Sequence, residues 1–305
     1  ATAAADHHWL RTFAWPIYGF SIALLLLTLV VGSGVGGVQR WVSVFGLQFQ
    51  FSEVAKILLA VVLAHYLATR AAEISRLRTL IGAGLIVAPL LGLVLIQPDL
   101  GTSLVFGAIM LGALFFAGAS LRWLAVTVLG VVAMVPVAWQ FILRDYQKQR
   151  LVAFLDPAAD PLGSGYQLQQ SQITVGSGGL FGRGLTNTLA GQNLPVGSTD
   201  FVFAHVGEQL GFLGGFVVLT LFALLIWRVL HVGWRSGDSF TLAFSGGIAG
   251  MLLFQMIVNV GMVLGVMPIT GIPLPFVTYG GASLLSAALG LGILESLAMR
   301  RSRST

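Results

Sequence analysis

Of the 305 residues, 56% are hydrophobic and 9% charged, and the mean hydropathy is +0.91. Soluble domains carry roughly a quarter of their residues as Asp, Glu, Lys and Arg, so 16 basic and 11 acidic side chains cannot clothe an ordinary globular surface. The apolar content excludes a disordered chain, and the absence of cysteine removes disulfide frameworks, thiolate metal sites and cysteine nucleophiles together.

A bilayer core about 30 Å thick needs about 20 apolar residues per helix. Taken in chain order, such stretches run Phe13 to Val31, Phe51 to Ala68, Leu80 to Ile96, Thr102 to Ala117 and Leu124 to Leu143. After a long interval come Val206 to Val229, Leu242 to Val266 and Leu274 to Leu297. These eight spans predict an all-α polytopic integral membrane protein, organised as a single membrane domain over residues 1–305. The first span is too long for a signal-peptide core. The runs are continuous and not alternating, which excludes a β-barrel.

Lys and Arg in the connections set the orientation. If the spans alternate, ten of them fall on one side: Arg11, Arg70, Arg76, Arg78, Arg122, Arg228, Arg235, Arg300, Arg301 and Arg303. The other six are Arg40, Lys56, Arg144, Lys148, Arg150 and Arg183. The first side is therefore cytoplasmic, with both termini inside. The net charge of +5 reflects topology, and no nucleic-acid partner is expected.

The acids lean the opposite way. Glu53, Asp99, Asp145, Asp156, Asp160, Asp200 and Glu208 lie at or near the outer face. Loop length accounts for those in the long connection, residues 144–205, but not for Glu53, Asp99 and Glu208 in or beside apolar spans. That connection opens with the charged stretch Asp145 to Arg150 and turns at Asp156-Pro157 and Asp160-Pro161-Leu162-Gly163. It continues through a Gln-rich amphipathic segment, Tyr166 to Val175, of the kind that lies in the interface. A glycine-dense run, Gly176 to Gly184, follows. A connection this long in a compact membrane protein is usually functional. No internal repeat supports an inverted-repeat transporter.

Several residues could carry chemistry. Glu53 and Lys56 share one helical face just inside a span, where charges pair and face the protein interior. They make either a structural ion pair or a site where Lys56 meets an anion and Glu53 orients it. In Gln97-Pro98-Asp99-Leu100-Gly101-Thr102, Pro98 and Gly101 break the helix and Asp99 can accept from freed backbone donors. Thr199-Asp200-Phe201 stands where the long loop re-enters the membrane. A carboxylate half desolvated there suits a general base, and a helix N-cap explains the same residues. Glu208 lies about 12 Å further along a continuous helix, beyond the roughly 5–9.5 Å of paired glycosidase carboxylates.

The glycine run has neither a preceding strand nor a Gly-Lys-Ser ending, so nucleotide-binding motifs do not fit. The five histidines show no metal-ligand spacing. Near the end, Asn259, Gly261 and Met262 precede Met267 to Pro275 and Tyr279 to Ser283. Their density of Pro and Gly predicts a broken, cavity-lining segment.

Gln39-Arg40-Trp41 with Gln50, Ser52-Glu53 and Lys56 resembles one signature of the SEDS family, the shape, elongation, division and sporulation proteins. Gln97 to Thr102, Tyr146 to Arg150, Gly165 through Gly184, Thr199-Asp200-Phe201 and Pro268 through Gly281 look like its others, in order over nearly the whole chain. Gln170-Ser171-Gln172-Ile173 followed by Gly176-Ser177-Gly178-Gly179 is closer to the RodA-type branch. The family pattern has ten spans, and against it this chain begins at the third. Phe51 stands where the family has proline. Leu194-Pro195-Val196-Gly197-Ser198 replaces a pattern with Glu and His.

The resemblance implies a peptidoglycan glycosyltransferase that polymerises lipid II at the outer face of the bacterial cytoplasmic membrane, with a class B penicillin-binding protein as partner. It implies Asp200 as the essential carboxylate of the extracellular loop. Glu53 and Lys56 match the membrane-embedded pair, with Arg40 and Trp41 in the neighbouring loop. A lipid-linked sugar pyrophosphate is already a good leaving group, so it needs positive charge and one base. On that reading Asp200 is base or cation ligand, and Lys56, Arg40 and Arg150 contact pyrophosphate. Apolar grooves between helices would hold the polyprenyl tails. No organic cofactor is implied, and a divalent cation is compatible with the chemistry. A flippase for the same lipid and a scaffold that activates a penicillin-binding protein are the other two readings. A flippase must carry a charged headgroup past the midplane, whereas the candidate residues lie on one side.

Overall fold

A computed structural model describes residues 7–32, 40–44, 47–185 and 200–301. Among them, seven helical segments are long and apolar enough to cross a membrane. They are α2 (Ala14–Val31), α3 (Phe51–Ala68), α4 (Leu77–Ile96), the span Leu121–Phe141, α10 (Val202–Ser236), α11 (Ser239–Val263) and, in α12 (Gly281–Arg301), the stretch Gly281–Met299. The expected span between Thr102 and Ala117 is the 17-residue apolar helix α5 (Leu100–Phe116). The span Leu121–Phe141 comprises α6 (Leu121–Ala133) and α7 (Val135–Phe141), with Pro136 in the first turn of α7. A short α1 (His7–Thr12) precedes α2.

Sequence periodicity did not announce one element. Between α2 and α3, β1 (Val42–Val44) and β2 (Leu47–Phe49) pair antiparallel, with Val42 opposite Phe49 and Ser43 opposite Gln48. Val-Ser-Val and Leu-Gln-Phe alternate on either side of Phe45-Gly46, a hairpin pattern too short to compete with the long apolar runs around it.

The chain divides into two compact units. The first holds residues 1–130, 226–253 and 281–305. At its centre is α3, which touches α2, α4, α5 and α12 and has 72% of its span buried, against 6% for Leu121–Phe141. Without a hydrophobic force between helices in lipid, close approach depends on small residues. At Gly112 of α5 a Cβ would overlap the carbonyl of Gly246 in α11. Arg11 pairs with Asp238 and lies 4.7 Å over the Phe240 ring. Asp238 also accepts from the Thr241 amide at 3.0 Å and hydroxyl at 2.7 Å. Burial alone would raise its carboxyl, but the Thr241 hydrogen bonds and the Arg11 charge outweigh that and hold it below the ordinary 3.8.

The second unit holds residues 131–225 and 254–280. Its core gathers Leu168, Phe201, Phe203, Phe222, Met262 and Leu274. The Gln-rich segment folds as α9 (Ser164–Ser177), preceded by α8 (Asp145–Leu155). Ser171 donates to the Val263 carbonyl at 2.8 Å and Gln172 to that of Leu264 at 3.3 Å. These polar side chains therefore satisfy carbonyls left open at the C-terminal end of α11.

The glycine run has an equally specific purpose. Helix α10 breaks at Gly211, whose φ of 67° and ψ of −166° belong to a region that essentially only glycine adopts. An unbroken helix would bond Phe212 N–H to Glu208 and Leu213 N–H to Gln209. Here Arg183 and Gly184 amides donate instead to the Glu208 and Gln209 carbonyls, at 2.9 and 3.1 Å, while Phe212 and Leu213 donate to Gly179 and Leu180 at 2.9 and 3.1 Å. The loop is inserted into the interrupted ladder and replaces both missing bonds. A Cβ at Gly178 would overlap the Gly207 carbonyl, and one at Gly182 the Gln209 carbonyl. The continuous span expected from Val206 to Val229 is thus two helices joined at a kink at Gly211. The expected break near the C-terminus is present: residues 264–280 are irregular and α12 starts at Gly281, so the span placed at Leu274 to Leu297 begins later.

Gly211→Ala should cost on the order of 1–3 kcal/mol of backbone strain and displace the inserted loop. It should lower the unfolding temperature of the detergent-solubilised protein and speed amide exchange in residues 179–184. Gly215→Ala, where a Cβ makes ordinary contact with Phe203 at 3.5 Å, should leave both unchanged.

Candidate functional site

Buried ionisable side chains occur in each unit: Glu53, Lys56 and Asp99 in the first and Glu208 in the second. In the first unit the N-terminal end of α3 carries Glu53 and Lys56. Glu53 Oε2 lies 2.7 Å from Lys56 Nζ, and the two residues are 3% and 1% exposed. The i,i+3 spacing makes the pair within a single helix, so it does not itself tie two helices together. Ser52 Oγ beside it is buried with no hydrogen-bond partner among the described residues.

Asp99 is the N-cap of α5, as its setting between Pro98 and Gly101 predicts: its side chain accepts from the Thr102 amide at 3.1 Å and hydroxyl at 2.9 Å. Gln50, the residue before α3, donates to the same carboxylate at 3.0 Å. Arg40 donates to the Gln97 carbonyl at 3.0 Å and to that of Pro98. Gln97 in turn reaches the Leu25 carbonyl in α2 at 2.9 Å. A chain of hydrogen bonds therefore runs from α2 through the 97–102 turn to Arg40 and to the first turn of α3. Trp41 follows Arg40 and is partly exposed. Buried ionisable residues at membrane depth are costly and mark functional sites by default.

In the second unit Asp200 stands two residues ahead of Val202, where α10 begins; Thr199 lies outside the described residues. Phe201 is buried in the core and anchors this position. Gly271, at φ +71°, faces it: a Cβ there would lie 3.5 Å from Asp200 Oδ2 and 3.8 Å from Arg150 Nη1. Carboxylate and guanidinium thus converge on one hydrogen-only position. Arg150 projects from α8 with its guanidinium 5.8 Å from the Tyr146 ring centre. Asn259, in α11, donates to the Asp200 carbonyl at 3.2 Å and to that of Ile272 at 2.7 Å. Sequence reading placed Asn259 only as the forerunner of the Pro-rich segment; its signal was an amide, four residues after Gln255, within an apolar span.

Glu208 belongs with the loop. It is fully buried, its carbonyl takes the Arg183 amide, and His205 Nδ1 lies 3.9 Å from its carboxylate. Of the six candidate residues, then, Arg40, Trp41, Glu53 and Lys56 belong to the first unit, and Arg150 and Asp200 to the second.

These motifs agree with what comparison with known proteins finds. The family model for FtsW, RodA and SpoVE, described as cell cycle protein, matches residues 2–303. The chain belongs to this family. It is 40% identical over 291 residues to the peptidoglycan glycosyltransferase MrdB of Escherichia coli, covering 94% of this chain and 78% of that protein. A probable peptidoglycan glycosyltransferase FtsW of Coxiella burnetii is 39% identical over 289 residues, covering 92% and 77%.

Among solved structures, a chain of a peptidoglycan synthase complex that coordinates polymerization and crosslinking superposes with a TM-score of 0.82 at 36% identity. It covers 99% of this chain and 84% of that one. The rod shape determining protein RodA of Thermus thermophilus gives 0.71 at 32% identity, covering 98% and 82%. The fold is accordingly that of an FtsW–RodA–SpoVE multi-pass membrane protein.

Removing one member of a buried ion pair costs about 3–5 kcal/mol because the other charge is left uncompensated. Lys56→Met should therefore lower the unfolding midpoint sharply, and adding Glu53→Gln should recover most of the loss. Equal stability of the single and double variants would show that the two charges are not coupled.

Proposed function

We propose that this protein is a peptidoglycan glycosyltransferase of the RodA type that polymerises lipid II. The observation that carries the reading is the convergence of Asp200 and Arg150 on Gly271, in a chain 40% identical to a named peptidoglycan glycosyltransferase. The reaction joins an acceptor sugar hydroxyl to the anomeric carbon of the donor. A new C–O bond forms there as the bond to pyrophosphate breaks, with inversion, and undecaprenyl pyrophosphate departs. Asp200 accepts the hydroxyl proton.

Positive charge must receive the electrons on the leaving group. In the second unit Arg150, which converges with Asp200 on Gly271, is the cation for this role; in the first unit Lys56, oriented by Glu53, and Arg40 and Trp41 are the substrate-binding candidates of their own cluster. No group of three or more His, Cys, Asp or Glu among the described residues could hold a metal ion. A donor set with one carboxylate still suits Mg²⁺, which commonly takes one or two carboxylates together with substrate phosphates. In that role Asp200 would be the protein ligand, and the ion would supply charge neutralisation.

The Lys and Arg bias supports the cytoplasmic membrane with both termini inside, so the loop 144–205 and its lipid II lie outside. A class B penicillin-binding protein is the proposed partner, supported by the likeness to a complex that also crosslinks. Residues 1–305 would act as one membrane domain in this assembly.

Asp200→Asn preserves shape and removes the base. In the complex with the partner it should cut lipid II polymerisation by about 10²–10⁴-fold while lipid II binding persists. Polymerisation at the wild-type rate would remove Asp200 from the mechanism.

A further inference from the structure

We infer that Asn259 is the positioning residue that holds Asp200 in register for the transfer; this rests on the role proposed for Asp200 above. Asn259 sits four residues before the end of α11 and is completely buried. Both donors of its amide are used on backbone carbonyls outside regular structure: that of Asp200, at the loop's return to the membrane, and that of Ile272, in the irregular segment after α11. Its Oδ1 is buried with no hydrogen-bond partner among the described residues. Those two carbonyls also fix the orientation of the amide, since a flipped group would set oxygen against oxygen.

The geometry around this amide is directed at the carboxylate. Ile272 follows Gly271, the residue at which Asp200 and Arg150 converge. One amide therefore ties together the strand of chain that carries Asp200 and the turn that lines its carboxylate. Met262 and Val263, three and four residues on and so on the same helical face, belong to the apolar cluster that holds Phe201. The same stretch of α11 thus grips Asp200 by its carbonyl and Phe201 by its ring.

The buried, unpaired amide oxygen carries a cost, which the two bonds donated to otherwise stranded carbonyls offset. Retaining Asn where an apolar residue would strand two carbonyls indicates that the location of those carbonyls is what the side chain secures. A carboxylate displaced by about 1 Å can lose on the order of 10²-fold in rate.

The test uses the full chain with its partner and lipid II, and compares Asn259→Ala, the isosteric but donor-free Asn259→Asp, and Asn259→Ser, which keeps one donor. Asn259→Ala and Asn259→Asp should each lower kcat about 10²-fold with KM for lipid II within about threefold of wild type, and Asn259→Ser should fall between. In an Asp200→Asn background, Asn259→Ala should add little further loss, since both act on one group.

Unchanged kcat per folded molecule in Asn259→Ala, with loss confined to the unfolding temperature, would overturn the inference and leave Asp200 in place. So would an Asn259→Asp protein at full rate, even where the Ala variant fails to fold. An Asp200→Asn protein at the wild-type rate would instead sink the Asp200 reading and this inference with it. The two failures are therefore distinguishable.

Discussion

A backbone amide or carbonyl stripped of water at membrane depth costs several kcal/mol unless another group replaces the solvent. At three places among the described residues where helices stop being regular, this fold answers that constraint with a named partner. At Gly211 the ladder of α10 is cut, and the loop segment 179–184 supplies both the donors and the acceptors that the cut exposes. At the end of α11 the side chains of Ser171 and Gln172 take the open carbonyls of Val263 and Leu264. Beside Asp200, Asn259 does the same for two further carbonyls. Irregular chain is what allows a carboxylate to be presented at the membrane boundary, and each irregularity is matched by a specific donor or acceptor.

The Glu53–Lys56 pair obeys the same logic with charge in place of backbone. Two ions withdrawn from water gain back their desolvation cost only through close mutual contact, and an apolar pair of similar volume is often as stable or more so. A pair this deeply buried is therefore hard to explain as a stability device. The proposed function gives it a purpose, as a cation held for a pyrophosphate, with Asp99, Gln50, Arg40 and Gln97 fixing the chain around it.

Apolar run length made most of the membrane helices legible in the sequence, because burial in lipid demands little else. It failed where composition and backbone part company. The expected span ran from Val206 across Glu208, Gln209 and Gly211 because the long apolar run beyond Gly211 dominates the average, so hydropathy reads straight through a point where φ changes sign. The glycine run was correctly set apart from nucleotide-binding loops, yet its role as a ladder insert depends on contacts with residues about 30 positions away. The Asp99 cap was readable from Pro98 and Gly101, since both constrain the local chain directly. Arg40 was expected to reach for substrate, and the structure adds that it also spends donors on the Gln97 and Pro98 carbonyls. Of the candidate site, the residue types could be named in advance; the grouping of Asp200 with Arg150, Gly271 and Asn259 could not, because it joins three distant stretches of chain.

The central claim is that the loop face performs glycosyl transfer and does not move lipid across the bilayer. Proteoliposomes containing the protein and its partner, with lipid II confined to the leaflet on the side of the 144–205 loop, test this directly. The account predicts glycan strands released from that leaflet, with stoichiometric undecaprenyl pyrophosphate and no transfer of intact lipid II to the opposite leaflet. Intact lipid II equilibrating between leaflets without strand formation would contradict it.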